Sequence, residues 1–320
     1  MIFCISFLRA LAAMIITNAH YQNVYPLEII ANGGLLGDVI FFAVSGFCLY
    51  NIKMNFGRWY LRRIVRVYPA VIIITAAYLL LGLYTRTANP VEFFRYFIYP
   101  TEYHFIASIV VLYIPYYFVI ANEKMHDRLP LVMFAVLVVY GLLYLFVYDK
   151  SYYHIDMVRE PMIRFLFFEA MLLGAYFRKH YGRYCDMAKA KHWVLLLLLF
   201  CLYFTSKMVF VRVPALSFLQ IVNQLLLLAL LYSVMRCFIG INGALERLPG
   251  KVKKVFKYLA EITLEIYVVQ YAIIPRLAGA GSFPINWIVV TVTILAAAAV
   301  LHFGVKLVDR QTDKLFVKKS

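Results

Sequence analysis

Apolar runs of about twenty residues alternate with short polar stretches along the whole chain. The runs fall at approximately 2–24, 35–53, 67–85, 103–121, 130–148, 161–178, 192–210, 217–237, 258–276 and 285–306. A bilayer core about 30 Å thick needs about twenty helical residues to cross it. The pattern therefore predicts an all-α integral membrane protein with about ten transmembrane helices, in one polytopic domain over residues 1–320. No polar stretch exceeds roughly thirty residues, which leaves no room for a sizeable soluble domain. The first run is expected to remain as a helix and not to be cleaved as a signal peptide. It has no basic leading segment, carries Arg9 inside the apolar stretch, and offers no small-residue cleavage site.

Composition agrees with that pattern. The 320 residues are 64% hydrophobic and only 15% charged, with mean hydropathy +0.79. No soluble domain has this balance. The formal net charge of +16 would suggest nucleic acid in a soluble protein. Here its distribution gives another reason, and no nucleic-acid partner is expected. With the N-terminus cytoplasmic, the alternating loops on that side and the tail hold 23 Lys and Arg, against 8 on the other side. This bias places both termini in the cytoplasm by the positive-inside rule. The five cysteines, at 4, 48, 185, 201 and 237, show neither paired spacing nor histidine neighbours, so neither a metal site nor a disulfide framework is read from them.

The candidate chemistry starts in SFLRALAAMIITNAHY, residues 6–21. Arg9 and His20 are eleven positions apart. On a helix that is three turns and about 20°, one face, roughly 16 Å along the axis. An ionisable group inside a span costs about 2.5–3.5 kcal/mol on insertion scales, which makes it a functional candidate. The plainer reading has Arg9 snorkelling to the interface and His20 among headgroups. Asp38 lies about one turn into the second run, as His20 lies about one turn from the same face. The short connection makes the two helices antiparallel neighbours, so Asp38 would meet His20 and hold its imidazole in one tautomer. The alternative is that Asp38 caps the second helix. Ser45 and Gly46 serve close helix packing by default. In KMNFGRWYLRRIVRVYP, Arg58, Arg62, Arg63 and Arg66 crowd the start of the third run. Such a cluster binds lipid phosphates or the phosphates of a nucleotide-like cofactor. Charge alone does not choose between them.

LRALAAMIITNAHY, GDVIFFAVSGF and WYLRRIVRVYP, in that order and spacing, resemble the start of the acyltransferase-3 family of membrane-bound O-acyltransferases. RFLFFEAMLLGAYF (164–177) and YLAEITLEIYVVQY (258–271) are similar to later segments of that family. A histidine often stands in the family where this chain has Gln270, and a tryptophan common in its fourth span is missing from EYHFIASIVVLYIP (102–115). The hydrolase-like extracytoplasmic domain appended in some members is not in this sequence, so the resemblance implies a stand-alone form. Related chains carry some polar residues before the first helix, so a true start upstream of Met1 is expected.

The resemblance implies acyl transfer, usually of acetyl from acetyl-CoA, to hydroxyls of a carbohydrate acceptor, with no metal. It implies a multi-pass protein of the bacterial cytoplasmic membrane, in contact with lipid and free to form a homo-oligomer. Arg58, Arg62, Arg63, Arg66 and Tyr68 would hold the acyl-CoA donor, and His20, Arg9 and Asp38 would form the catalytic group. Further along, Glu169 and Glu265 are read as ion-pair partners of Arg9 or Arg164. The tyrosines of YIPYYF (113–118) and KSYYH (150–154) are read as interface belts. Two other classes compete. A carrier or exporter of a polysaccharide or lipid-linked sugar would use the same intramembrane charges, although no inverted repeat accompanies them. A scaffold subunit of an envelope assembly would need neither Arg9 nor His20.

Overall fold

The computed structural model describes residues 2–84, 90–101, 103–157 and 161–317, with side chains through 308. Arg86, Arg159 and the tail side chains of Arg310, Lys314, Lys318 and Lys319, which entered the charge count, lie outside the described residues. Among the described residues all regular structure is helical. In chain order the helices are α1 (Phe3–Ala19), α2 (Gly34–Leu49), α3 (Phe56–Leu80), α4 (His104–Ala121), α5 (Leu129–Phe146), α6 (Ile163–Lys179), α7 (Ala190–Arg212), α8 (Gln220–Ile239), α9 (Gly250–Glu261), α10 (Thr263–Leu277) and α11 (Ile285–Val317), joined by turns and short helical pieces.

Each of the ten predicted runs holds a helix. Among the described residues, seven helical stretches are long and apolar enough to cross a bilayer: 28–49, 56–80, 104–121, 129–146, 190–212, 214–239 and 285–308. The shorter helices α1, α6 and α10 have 17, 17 and 15 residues. They carry Arg9, Glu169 and Glu265, and most of α6 and α10 is buried. A helix shielded by protein can afford polar groups that a lipid-facing one cannot. The opposite case is α5 and α7, which expose Leu131, Phe134, Leu145, Val194 and Leu197. Apolar surface on that scale belongs in lipid. The chain is a multi-pass membrane protein.

The chain forms two compact units. The first comprises residues 1–12, 35–53 and 111–257, and the second 13–34, 54–110 and 258–320. In the first unit, α5 packs on α6, α6 on α8, and α7 on α8. A close seam joins α2 to α6. A Cβ on Gly46 would run into the backbone carbonyl of Met171, and one on Gly174 into the carbonyl of Ala43. The packing role expected of Gly46 is borne out, with Gly174 as its counterpart. Phe42 stacks on Phe167 beside this seam, centroids 4.3 Å apart. Tyr116 of α4 donates its hydroxyl to the Gly46 carbonyl at 2.6 Å. Tyr113 and Tyr116 are buried, so YIPYYF is not simply an interface belt. Aromatic composition cannot tell a belt from a core in which each hydroxyl has a carbonyl to meet.

In KSYYH Tyr153 turns inward, while Tyr152 is exposed. Tyr153 donates to the Asn223 side-chain oxygen at 3.1 Å, and His154 is stacked between Tyr148 and Tyr152. Gln220 accepts from the backbone amides of His154 and Ile155, both at 2.9 Å, and Lys207 pairs with Asp156 at 2.7 Å. In the second unit, α3, α10 and α11 pack on one another. Tyr78 of α3 donates to the Val269 carbonyl of α10 at 2.9 Å.

Candidate active site

Helix α1 ends at Ala19, five residues before the run expected from hydropathy, and His20 sits on the turn that closes it. The reason is Asn18. Its amide donates to the carbonyls of Ile30 and Asn32 at 2.9 and 3.4 Å, and its oxygen accepts from the Tyr25 hydroxyl at 2.7 Å. These bonds fold the connection to α2 back over the helix end. The start of α11 holds the same connection from another side. Asn286 donates to the Val24 carbonyl at 2.8 Å, the Trp287 indole to the Tyr25 hydroxyl at 3.1 Å, and the hydroxyls of Tyr21 and Thr291 meet at 2.9 Å. Gly33, with φ +93°, makes the turn into α2. His20 is thus carried on a fixed loop, with its side chain exposed. Its ring packs edge-on against Tyr271, centroids 5.4 Å apart. No described side chain hydrogen-bonds the imidazole.

Arg9 lies mid-helix, half-buried, with its guanidinium 5.4 Å from the centroid of the Phe41 ring on α2. It turns onto a neighbouring helix, which is a cation–π contact and not a snorkelling pose. Asp38 stands three residues before Phe41, hence on the adjoining part of the same helix face. It is buried at 8% exposure and makes no hydrogen bond or ion pair among the described residues. Asp38 does not cap α2, which starts four residues earlier at Gly34. The neighbourhood of α1 and α2 is as expected. Besides Arg9 and Phe41, Gly34 lies so close to Ala19 that a Cβ would fall 2.9 Å from its methyl. Arg9 and Asp38 belong to the first unit and His20 to the second.

The basic segment opens α3, whose first turn is capped by the Asn55 side chain accepting from the Arg58 amide at 3.1 Å. Arg58, Arg62 and Arg66 are exposed. Spaced by four, they form one stripe along the helix. Arg63 departs from it and lies over the Trp59 ring, 5.7 Å from its centroid. Tyr68 is on the other side of the helix, where its hydroxyl donates to the Ile98 carbonyl.

Glu265 does not pair with Arg9 or Arg164. Its Oε1 lies 2.6 Å from Nδ1 of His302 on α11, and one turn away Lys306 lies 4.0 Å from Glu261. Antiparallel α10 and α11 bring these residues together, a pairing that no local pattern signals. Glu169 is 1% exposed, makes no ion pair among the described residues, and has its Oε1 unpartnered. The amide of Gln270 is also buried without a partner. Sequence reasoning missed Asn18, Asn286 and the tyrosines around His20. The available signal was the four-residue spacing of Tyr267 and Tyr271 within an apolar helix.

A family model described as an acyltransferase domain matches residues 2–305, nearly the whole chain. No curated protein and no solved structure matches the chain.

Proposed function

The chain belongs to the acyltransferase family, and from that premise we propose that it is an O-acyltransferase, most simply an O-acetyltransferase, acting on a carbohydrate. The donor is acetyl-CoA from the cytoplasm. Its phosphates sit on the Arg58, Arg62 and Arg66 stripe, where forked donors suit phosphate oxygens. Arg63 and Tyr68 shape the segment from its sides. The pantetheine arm enters the bundle past Arg9 and brings the thioester to the His20 end of α1.

There His20 takes the proton of the acceptor hydroxyl as the oxygen attacks the thioester carbonyl carbon. The C–S bond then breaks, and CoA leaves with the proton returned by the imidazolium. Arg9, on α1 but roughly 16 Å along the axis from His20, is too far away to reach that oxygen and serves to guide the donor. The acceptor is an envelope or secreted glycan on the far side of a bacterial cytoplasmic membrane, consistent with basic loops on the cytoplasmic side.

The observation that carries this reading is His20 itself. An exposed imidazole with no described hydrogen bond stands on a pinned loop at the end of the helix that bears Arg9. The test is acetyl-CoA binding and CoA release by purified protein in nanodiscs, wild type beside His20→Ala. Release should fall by about 10²–10⁴-fold, the range of general base catalysis, with the protein still folded. Near-wild-type release by the folded variant would remove His20 from the mechanism. Sugar flux without acetyl-CoA binding would select the carrier instead.

A further inference from the structure

We propose that Tyr271 is the positioning residue of the His20 imidazole, and that Tyr267 and the first turn of α4 hold Tyr271 in place for that task. The proposal rests on His20 as the base, and all its parts lie in the second unit.

An imidazole without hydrogen-bond partners has its orientation set by packing. The packing surface on His20 is the ring of Tyr271, at 61° to it and 5.4 Å between centroids. Three contacts help to hold Tyr271. Its hydroxyl donates to the hydroxyl of Tyr267, one turn earlier on α10, at 2.8 Å. Its ring meets Tyr267 edge-on at 5.4 Å and Tyr103 edge-on at 5.5 Å. Edge-to-face pairs of this kind fix ring planes as well as positions.

The chain of contacts ends on backbone. The Tyr267 hydroxyl accepts from the amide of Phe105 at 3.2 Å. Phe105 is the second residue of α4, so its amide is one of the donors that no helical carbonyl satisfies. Tyr267 therefore does two jobs, closing the start of α4 and receiving the Tyr271 proton. Tyr103 is held in the same way, its hydroxyl 3.0 Å from that of Tyr84. The result runs from a helix terminus through two hydroxyls to the ring on which His20 rests. A tyrosine that served only as packing would not need its hydroxyl tied to a helix end, and phenylalanine would do.

A base must meet its proton within a fraction of an ångström, and a misplacement of about 1 Å costs about 100-fold in rate. Tyr271→Ala should therefore lower kcat for CoA release about 100-fold, with KM for acetyl-CoA unchanged. Tyr271→Phe keeps the ring and releases the hydroxyl tether, and should lose about tenfold or less. Tyr267→Phe should resemble Tyr271→Phe. A second readout needs no acceptor. The rate at which diethyl pyrocarbonate modifies His20, followed against pH by mass spectrometry, reports the environment of that ring directly. Its profile should move in Tyr271→Phe, Tyr267→Phe and Tyr271→Ala. Unchanged kcat and an unmoved His20 profile in the Phe variants and in Tyr271→Ala would overturn the proposal. If Tyr271→Ala fails to fold, the two Phe variants decide alone by the same profile. Failure of the His20 reading is separate, since it would show as full CoA release in His20→Ala.

Discussion

Arg58, Arg62 and Arg66 differ from Arg63 in one respect that decides their chemistry. The first three are exposed along one stripe, whereas Arg63 is laid over Trp59. Donor phosphates would meet the stripe. Replacing Arg62 and Arg66 together with Gln should raise KM for acetyl-CoA at least about tenfold, since a charge-assisted hydrogen bond is worth about 1.5–3 kcal/mol before solvent screening. kcat should change little, and the salt dependence of KM should flatten. A fall in kcat at constant KM would instead place these arginines away from the donor. Arg63→Gln should leave KM nearly unchanged. The sequence grouped the four by charge and proximity. Only the helix path separates them, because positions 62 and 63 lie 100° apart around the axis. The same geometry sets Tyr68 aside, with its hydroxyl on Ile98.

Two helices in this protein meet closely where neither offers a side chain. At the α2–α6 seam, Gly46 and Gly174 each face the backbone of the other helix. Gly174→Ala should therefore destabilise the protein by about 3 kcal/mol or more, the upper end of overpacking costs, since a carbonyl cannot swing aside as a side chain can. Thermal unfolding in detergent would measure it. A variant as stable as wild type would mean that the seam opens freely. Tyr116→Phe, which strips one hydroxyl from the Gly46 carbonyl, should cost only about 1 kcal/mol. Much at this scale was legible beforehand. Hydropathy located every long helix, and the small residues of the second run signalled close packing. But α3 starts at Phe56, eleven residues before the expected run, because its basic first turns are helical yet polar, and α11 runs on to Val317 for the same reason. The end of α1 was not legible, because Asn18 stops the helix through carbonyls of residues 30 and 32. The Glu265–His302 pair was hidden for a similar reason, since its partners sit on different helices.

Across the whole molecule, the distribution of Lys and Arg makes a statement about sidedness that the native thiols can check. All five cysteines are free. Cys4 and Cys237 are buried, while Cys185 lies half-buried in the connection between α6 and α7. Burial, the largest effect there, raises its thiol above the ordinary cysteine value. The thiolate is the reactive form, so labelling at Cys185 should be slow at neutral pH and quicken as pH rises. With both termini cytoplasmic, a membrane-impermeant maleimide should reach Cys185 in inside-out vesicles and not in intact cells. Labelling in intact cells would reverse the orientation. Charge is the ground for this sidedness, and the labelling tests it. The division of α1 between two compact units was not readable, since it depends on which distant segments pack against each half of the helix.

The paired glycines also set a clock on how the protein is made. Gly174 is synthesised long after Gly46, and at about 5–20 residues per second the ribosome takes on the order of ten seconds to reach it. During that interval the notch in α2 has no helix to fill it. Tyr116 arrives earlier and can occupy the Gly46 carbonyl while the rest of the seam waits. A nascent chain arrested before α6 would present an unfilled groove to lipid or to the insertion machinery. Assembly of the first unit is therefore bound to finish late, however early its first helix enters the membrane.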